Sequence, residues 1–317
     1  MGLVRILKRN LTFARRLWGS KRAVRELMEC DNFVFIRDFP PGHFYSPLPD
    51  LREVRQRGAE IESCDNDLPA LALRKTEQIC LAEGLGCFFN EMPFPDHASN
   101  GFRYFLDNPF FGFGDGIVLY SFLRHFRPKR IVEVGSGFSS AAMLDVRDRF
   151  FEEPLALTFI DPYPERLKSL LTPADANCCQ VVVAPVQQVV MRIFRDLEEN
   201  DFLFIDSSHV GKTQSDVLHL LFRVLPALQK GVLVHFHDIM WPFEYPRCWL
   251  EEGRAWNEAY FLRAFLQFNS VFEVVYFNSY MALCHAEVVE RTMPSALKKP
   301  SRKETVGNSS LWLRKIA

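Results

Sequence analysis

Lys129-Arg-Ile-Val-Glu-Val-Gly-Ser-Gly-Phe-Ser-Ser-Ala-Ala142 is the stretch on which the reading of this chain turns. Ile131 to Val134 is a short apolar strand with one acid, Glu133, near its end, which is either a ligand contact or a cap for the glycine-loop amides. Gly135, Ser136 and Gly137 then turn the chain, and Ser139 and Ser140 open a helix. Strand, glycine turn and helix in that order bring backbone amides close to a nucleotide-like ligand at a helix N-terminus. The motif is common by itself, so its meaning depends on the residues found at set distances beyond it.

A strand–helix alternation extends from it in both directions. A helix from Asp115 to Phe126 stops before Pro128, since the residue preceding proline disfavours the helical region. Strands are expected at 130–134, 156–160, 180–184, 202–206 and 232–235, with helical patterns between them, one of which runs from Val217 to Gln229 and closes at Gly231. Residues 255–268 read as a helix, and 271–277 and 281–285 as two last strands joined by Asn278-Ser-Tyr280. So short a connection requires an antiparallel pair, because parallel strands need a long crossover. The fold class is therefore α/β: a Rossmann-like, doubly wound sheet, mostly parallel with an antiparallel last strand, preceded by a cap of helices and loops.

The chain divides into four regions. Residues 1–30 carry Arg5, Lys8, Arg9, Arg15, Arg16, Lys21, Arg22 and Arg25 among Leu3, Ile6, Leu7, Leu11, Phe13, Leu17 and Trp18. This pattern suits a basic amphipathic N-terminal helix, either in peripheral contact with an anionic membrane through residues 1–29 or docked on its own protein. Residues 31–114 hold the turn clusters Pro40-Pro41-Gly42, Pro47-Leu-Pro49 and Met92-Pro-Phe-Pro95 around a helix at 70–83, and form the cap or substrate-side region. Residues 115–290 make the sheet domain, and the basic, Ser-, Lys- and Pro-rich residues 291–317 are expected to be a flexible tail.

Composition narrows the class of function. With 38 Lys and Arg against 39 Asp and Glu the net charge is −1, which provides no global field for nucleic acid. Eight cysteines without a Cys-x-x-Cys pair read as reduced thiols rather than a disulfide framework or zinc cluster, and no apolar run is long enough to span a bilayer. A cytoplasmic protein is expected, membrane-peripheral if the N-terminal helix binds lipid.

The strand ends carry the chemistry. Asp161 lies 24 residues after Gly137, at the tip of the second strand, where an acid accepts hydrogen bonds from ribose hydroxyls or caps a turn. The fourth strand ends in Asp206-Ser-Ser-His209 and the fifth in His235-Phe-His237-Asp238, both on the edge where the glycine turn opens. Alternation puts His235 and His237 on one side, and a mid-strand His235 is read equally as a core histidine. Phe102, Tyr104, Phe105, Phe110, Phe111 and Phe113 are candidates for an aromatic lid or for packing between cap and sheet.

Taken in order, IVEVGSGFSS (131–140), LTFIDPYPERL (157–167), DFLFIDSSHVGKTQSDV (201–217) and LPALQKGVLVHFHDIMWPFEYP (225–246) resemble a class I S-adenosylmethionine-dependent methyltransferase. The likeness is greatest to an uncharacterised branch with an "HDI" sequence after the fifth strand, here His237-Asp238-Ile239, and covers roughly residues 115–285. It implies a seven-stranded sheet with a reversed last strand. It also implies that Glu133, Gly135, Ser136 and Gly137 line the methionine end of the cofactor, that Asp161 holds its ribose, and that Asp206 lies beside the sulfonium. Asn108 to Asp115 resembles the segment that folds over the cofactor, which puts Asp115 among its contacts. Pro41-Gly-His-Phe-Tyr-Ser-Pro47 is similar to a run upstream of the sheet in the same branch, making His43, Tyr45 and Ser46 substrate-side candidates. One departure is Ser139, where many members carry a third glycine.

The expected reaction is methyl transfer to a small-molecule acceptor, O-methylation with a His/Asp general base drawn from His237, His209, Asp206 and Asp238. The alternative within that class has Asp206 and Asp238 holding magnesium, as carboxylates after these strands do in methyltransferases of vicinal diols. Glu244 is a further oxygen donor or a loop brace. Two other classes compete: a nicotinamide-dependent oxidoreductase, against which stand the missing third glycine and the absence of any Tyr-x-x-x-Lys, and a non-catalytic cofactor-binding protein. A nucleic-acid methyltransferase is disfavoured because the fourth strand lacks Pro-Pro-Tyr/Phe.

Overall fold

Seven strands form one sheet in the order β3-β2-β1-β4-β5-β7-β6, with β1 at Arg130–Val134, β2 at Ala156–Ile160, β3 at Cys179–Val182, β4 at Phe202–Ile205, β5 at Leu233–Phe236, β6 at Phe272–Phe277 and β7 at Leu311–Lys315. The computed structural model describes residues 34–61, 67–301 and 307–317. They fall into two units, residues 1–58 and 59–317, and the whole sheet belongs to the second. The basic segment 1–29 read as an amphipathic helix lies outside the described residues.

β1 through β5 run parallel, with Val134 in register with Ile160 on one side and Ile205 on the other. Their tips therefore share one edge. The chain reverses between β1 and β4, both hydrogen-bonded neighbours at the centre, which is the switch point where open α/β sheets bind ligands. Helices Phe113–Phe126 and Phe138–Phe150 cover the sheet, the first with eleven consecutive buried residues from Phe113 to Leu123. Asp201 secures the start of β1 by accepting from the Lys129 and Arg130 amides at 2.9 and 2.8 Å. β1, β2 and β4 sit within one residue of their expected places. The expected helix from Val217 to Gln229 is instead interrupted by a π-helical turn at Leu220–Val224.

Two expectations at the C-terminal end are corrected. Residues 281–285 do not form a strand: Asn278–Cys284 is a helix, held at its start by Asn278 Nδ2 on Asp115 Oδ1 at 2.9 Å and by the Trp241 amide on Ser279 Oγ at 2.7 Å. The reversed strand comes instead from within residues 291–317, expected to be a flexible tail. β7 lies between β5 and β6, antiparallel to both, with His235 opposite Trp312 and Phe277 opposite Leu311. Trp312 is buried against Phe122, Phe202 and His235, with ring centroids 4.3 to 5.3 Å away. Lys315 donates from Nζ to the Pro226 and Leu228 carbonyls at 2.9 and 2.8 Å, finishing the strand. The sheet domain thus extends to the end of the chain.

The six described cysteines in 67–301 are free thiols. Among the described residues, no helix is long and apolar enough to cross a membrane.

Candidate active site

A cavity of about 790 Å³ opens at the tips of β1, β2, β4 and β5. That volume is in the range of small-molecule and cofactor sites. Gly135 and Ser136 after β1, Asp161 after β2, Asp206 and His209 after β4, and His237 and Asp238 after β5 all line it.

The glycine turn is built by close approach. Gly135 has φ 81°, and a Cβ there would lie 1.7 Å from the Asp206 carbonyl oxygen, so only glycine lets β1 and β4 release their chains side by side. Its amide donates to the Ile160 carbonyl at 2.9 Å, and the Asp206 amide to Val134 at 2.8 Å. Asp161 accepts from the Ser136 amide and hydroxyl at 3.0 and 2.8 Å through one oxygen, and from the Tyr163 amide at 2.8 Å through the other. It therefore ties loop to turn while facing the cavity. Gly137 is extended, and its amide donates to Ser140 Oγ at 3.0 Å.

Glu133 does not line the cavity. It is fully buried beneath the turn and accepts hydrogen bonds from the Ser139 and Ser140 hydroxyls. Burial pushes its carboxyl up to about 8, against the opposing effect of the two hydroxyls. Ser139, at the place of the third family glycine, is thus a partner of this acid, and Glu133 supports the turn from outside the cavity lining.

Asp115 is also corrected from a cavity residue to a buried strut. It accepts from the Ser309 and Ser310 amides at 3.0 and 2.9 Å and from Asn278 Nδ2, so it anchors the start of β7 to the helix Phe113–Phe126. Of the six aromatic lid candidates, Tyr104, Phe111 and Phe113 belong to the core, and Phe110 lines the cavity. There the Arg166 guanidinium lies 3.7 Å from the Phe110 ring centroid. Glu244 accepts from the Tyr260 hydroxyl at 2.9 Å, a loop brace.

The centre of the cavity floor is a compact set of ionisable groups. His209 Nε2 lies 3.3 Å from Asp206 Oδ1 and 3.6 Å from Asp238 Oδ2. His237 Nδ1 lies 3.5 Å from the same two carboxylates, and its Nε2 meets Ser309 Oγ at 3.2 Å. Burial opposes charge on both rings, yet the carboxylates outweigh it. His209 is held up at about 10, with Asp206 and Glu258 as the main partners, and His237 well above the ordinary imidazole range by Asp238 and Asp206. Burial likewise works against Asp206, which the two imidazoles nevertheless keep below the usual carboxylate range. Asp238 is raised by burial that the same imidazoles only partly offset. The surrounding carboxylates thus favour the protonated form of both rings, the form that holds a proton rather than takes one.

His235 is the core histidine. Its ring stacks on Phe204 at 3.6 Å and bonds Ser310 Oγ at 2.8 Å, and burial lowers it well below its ordinary range.

Several participants escaped the sequence reading. Glu258, buried at the head of the helix Glu258–Leu266, meets His209 Nδ1 at 2.9 Å. The amides of Asn257 and Glu258 donate to the His209 carbonyl at 3.1 and 3.2 Å, clasping that helix start to the β4 loop. Trp249, Arg254 and Trp256 form one wall of the cavity. Only the spacing of two tryptophans around an arginine in Cys248-Trp-Leu-Glu-Glu-Gly-Arg-Ala-Trp256 could have drawn attention to them. His43, Tyr45 and Ser46 lie in the other unit. There the Tyr45 amide donates to His43 Nδ1 at 3.1 Å and the Leu48 amide to Ser46 Oγ at 3.2 Å, contacts that shape a turn.

Comparison with known proteins agrees with this geometry. The family described as methyltransferase domain matches the chain over residues 132–239, from β1 to just beyond β5. An uncharacterized protein of Archaeoglobus fulgidus is 36% identical over 186 residues, 56% of this chain and 83% of its own length. The chain belongs to the class I S-adenosylmethionine-dependent methyltransferases.

Among solved structures similar to this methyltransferase is the O-methyltransferase TomG from Streptomyces achromogenes, in complex with S-adenosylmethionine. It is 14% identical, with a TM-score of 0.40 over 84% of this chain and 96% of that one. Another is the methyltransferase PaMTH1 from Podospora anserina, bound to S-adenosylhomocysteine. It is 15% identical, with a TM-score of 0.39 over 85% of this chain and 98% of that one.

Proposed function

We propose that this methyltransferase transfers the methyl group of S-adenosylmethionine to a hydroxyl of a small-molecule acceptor held against Asp206, His209, His237 and Asp238. The observation that carries this reading is the convergence of these four groups with the glycine turn and Asp161 on one cavity. An acid at the second strand tip, as Asp161 is, suits a ribose diol, and Gly135 and Ser136 beside it suit the methionine end. Alignment of acceptor oxygen, methyl carbon and sulfur, with water excluded, supplies most of what such a displacement needs.

The acceptor proton goes to a carboxylate rather than to imidazole. Asp238, raised by burial, is the better base of the two, since proton-transfer efficiency increases as the base approaches the operating pH. The imidazolium rings of His209 and His237 offset the negative charge that remains.

Asp206, His209 and Asp238 also present one ligand atom each, all within 4.8 Å of one another and open to the cavity, a donor set that fits a divalent cation. Two carboxylates and one imidazole suit manganese or a similar ion at least as well as magnesium, which prefers oxygen alone. Such an ion would take the place of the proton on His209, whose ring binds a metal only when neutral. A cation there would bind and acidify the acceptor hydroxyl.

Calorimetry with S-adenosylhomocysteine and with NAD, then a metabolite screen for homocysteine-forming turnover, tests the assignment. Methylation found on nitrogen or carbon rather than oxygen would overturn it.

A further inference from the structure

The cavity wall beyond the reacting centre has a composition that the transfer chemistry does not require. The helix Arg247–Glu251 ends at Gly253, whose φ of 89° folds the chain back so that the Arg254 amide donates to the Trp249 carbonyl at 3.0 Å. This places the Arg254 guanidinium 4.6 Å from the Trp249 ring centroid and 5.4 Å from that of Trp256. The two indoles meet edge to face at 5.2 Å, and Trp256 in turn lies 4.4 Å from the His209 ring. Reacting centre, indole and guanidinium thus succeed one another along the wall, a span on the scale of a single substituted ring.

We propose that this wall selects the acceptor, and that the acceptor is an aromatic hydroxy acid whose ring lies on Trp256 and whose carboxylate pairs with Arg254. The inference rests on the reading of the cavity as a hydroxyl-methylating site. An indole face favours a planar ring in offset or edge contact. A guanidinium stacked on indoles keeps its N–H edge free for the two parallel hydrogen bonds that a carboxylate accepts. The Arg254 partner already present, Glu252 at 2.9 Å, lies outside the cavity wall and is about as exposed as the arginine, so it steadies the side chain and leaves donors unspent. The lining also holds Asp161, Asp206, Asp216 and Asp238, and its other guanidinium, Arg166, lies on Phe110 beside Gly137 at the glycine turn, which leaves Arg254 as the guanidinium on the indole side for an acceptor's carboxylate.

The test uses the full chain saturated with S-adenosylhomocysteine and three probe pairs: 4-hydroxybenzoate, 3,4-dihydroxybenzoate and 4-hydroxyphenylacetate, each against its primary amide. Binding is monitored by tryptophan fluorescence and calorimetry. At least one acid is expected to bind about tenfold or more tightly than its amide, as a charged hydrogen-bonded contact implies. Arg254→Gln should abolish that preference and Arg254→Lys restore part of it, with S-adenosylhomocysteine binding measured on each variant to confirm its fold. Equal affinity for every acid and its amide, no binding by any acid, or a preference that survives Arg254→Gln would overturn the proposal. Turnover with S-adenosylmethionine separates the two readings. Methylation of a hydroxyl without acid preference sinks only this inference, whereas acid preference with methylation at another atom sinks only the underlying one.

Discussion

His209 and Asp238, on loops after two neighbouring strands, meet at 3.6 Å between Nε2 and Oδ2, and both hold backbone φ in the left-handed region, at 58° and 56°. Each such conformation costs a non-glycine residue on the order of 1–2 kcal/mol, and the surrounding structure has to hold it. Here the hold is visible: the His209 carbonyl receives two amides from the head of the helix Glu258–Leu266, and the His237 amide donates to Ile205 at 2.9 Å just before Asp238.

The cation reading can be measured without turnover. Manganese titration by electron paramagnetic resonance should show one site on the wild-type chain. Asp206→Asn or Asp238→Asn should weaken it about tenfold or more, as the loss of a ligand oxygen does. Unchanged binding in both variants would remove the cation from the mechanism.

Two glycines of the same turn should respond in opposite ways. Gly135→Ala forces a Cβ within 1.7 Å of the Asp206 carbonyl at a left-handed φ, costing about 1–2 kcal/mol for the backbone and about 1–3 more for the overlap. S-adenosylhomocysteine binding should be lost or weakened at least tenfold, because the loop must move. Gly137→Ala meets only Arg166 Cδ at 2.9 Å, on a flexible exposed side chain, and its φ is extended. Its melting temperature should stay within a few degrees of wild type.

Glu133 should make the fold less stable as pH rises. Its carboxyl sits at about 8 in the folded chain against an ordinary 4.5. Below 4.5 both states are protonated and nothing is lost. Between 4.5 and 8 the unfolded chain ionises while the folded one stays neutral, so stability falls, and above 8 the loss levels off. Glu133→Gln removes this dependence. Urea unfolding at pH 5 and pH 8 should show the variant gaining on the wild type by on the order of a few kcal/mol across that interval. Parallel curves for the two proteins would contradict the burial effect.

β7 should be indispensable despite its terminal position. Trp312→Ala empties a fully buried site between Phe122, Phe202 and His235 and should cost about 3–5 kcal/mol in chemical unfolding. Deleting residues 309–317 should prevent cooperative folding altogether, since β6 would lose its one partner strand among the described residues and Asp115 the amides of Ser309 and Ser310.

The parallel strands and the strand-end residues Asp161, Asp206, His209, His237 and Asp238 were legible because local pattern and loop spacing specify them. Each strand is an apolar run closed by a polar tip, and parallel order puts the tips on one edge. Asp115 reads as a cofactor contact from the resemblance of residues 108–115 and Glu133 from its strand-end place, yet neither lines the cavity. Their depth depends on Ser309, Ser310, Ser139 and Ser140 arriving around them.

By itself, then, the sequence determined the alternation of elements, the glycine turn and the cofactor class. Tertiary structure alone decided three things. It brought Leu311–Lys315 into the sheet through pairing with strands 34 or more residues away, a contact no local pattern encodes. It surrounded the imidazoles of His209 and His237 with carboxylates that raise their pKa values, because a side chain's proton affinity depends on the charges packed around it. And it carried Trp256 and Arg254 from a distant loop to the cavity that opens beside Gly135, and Glu258 from the next helix to the buried side of His209.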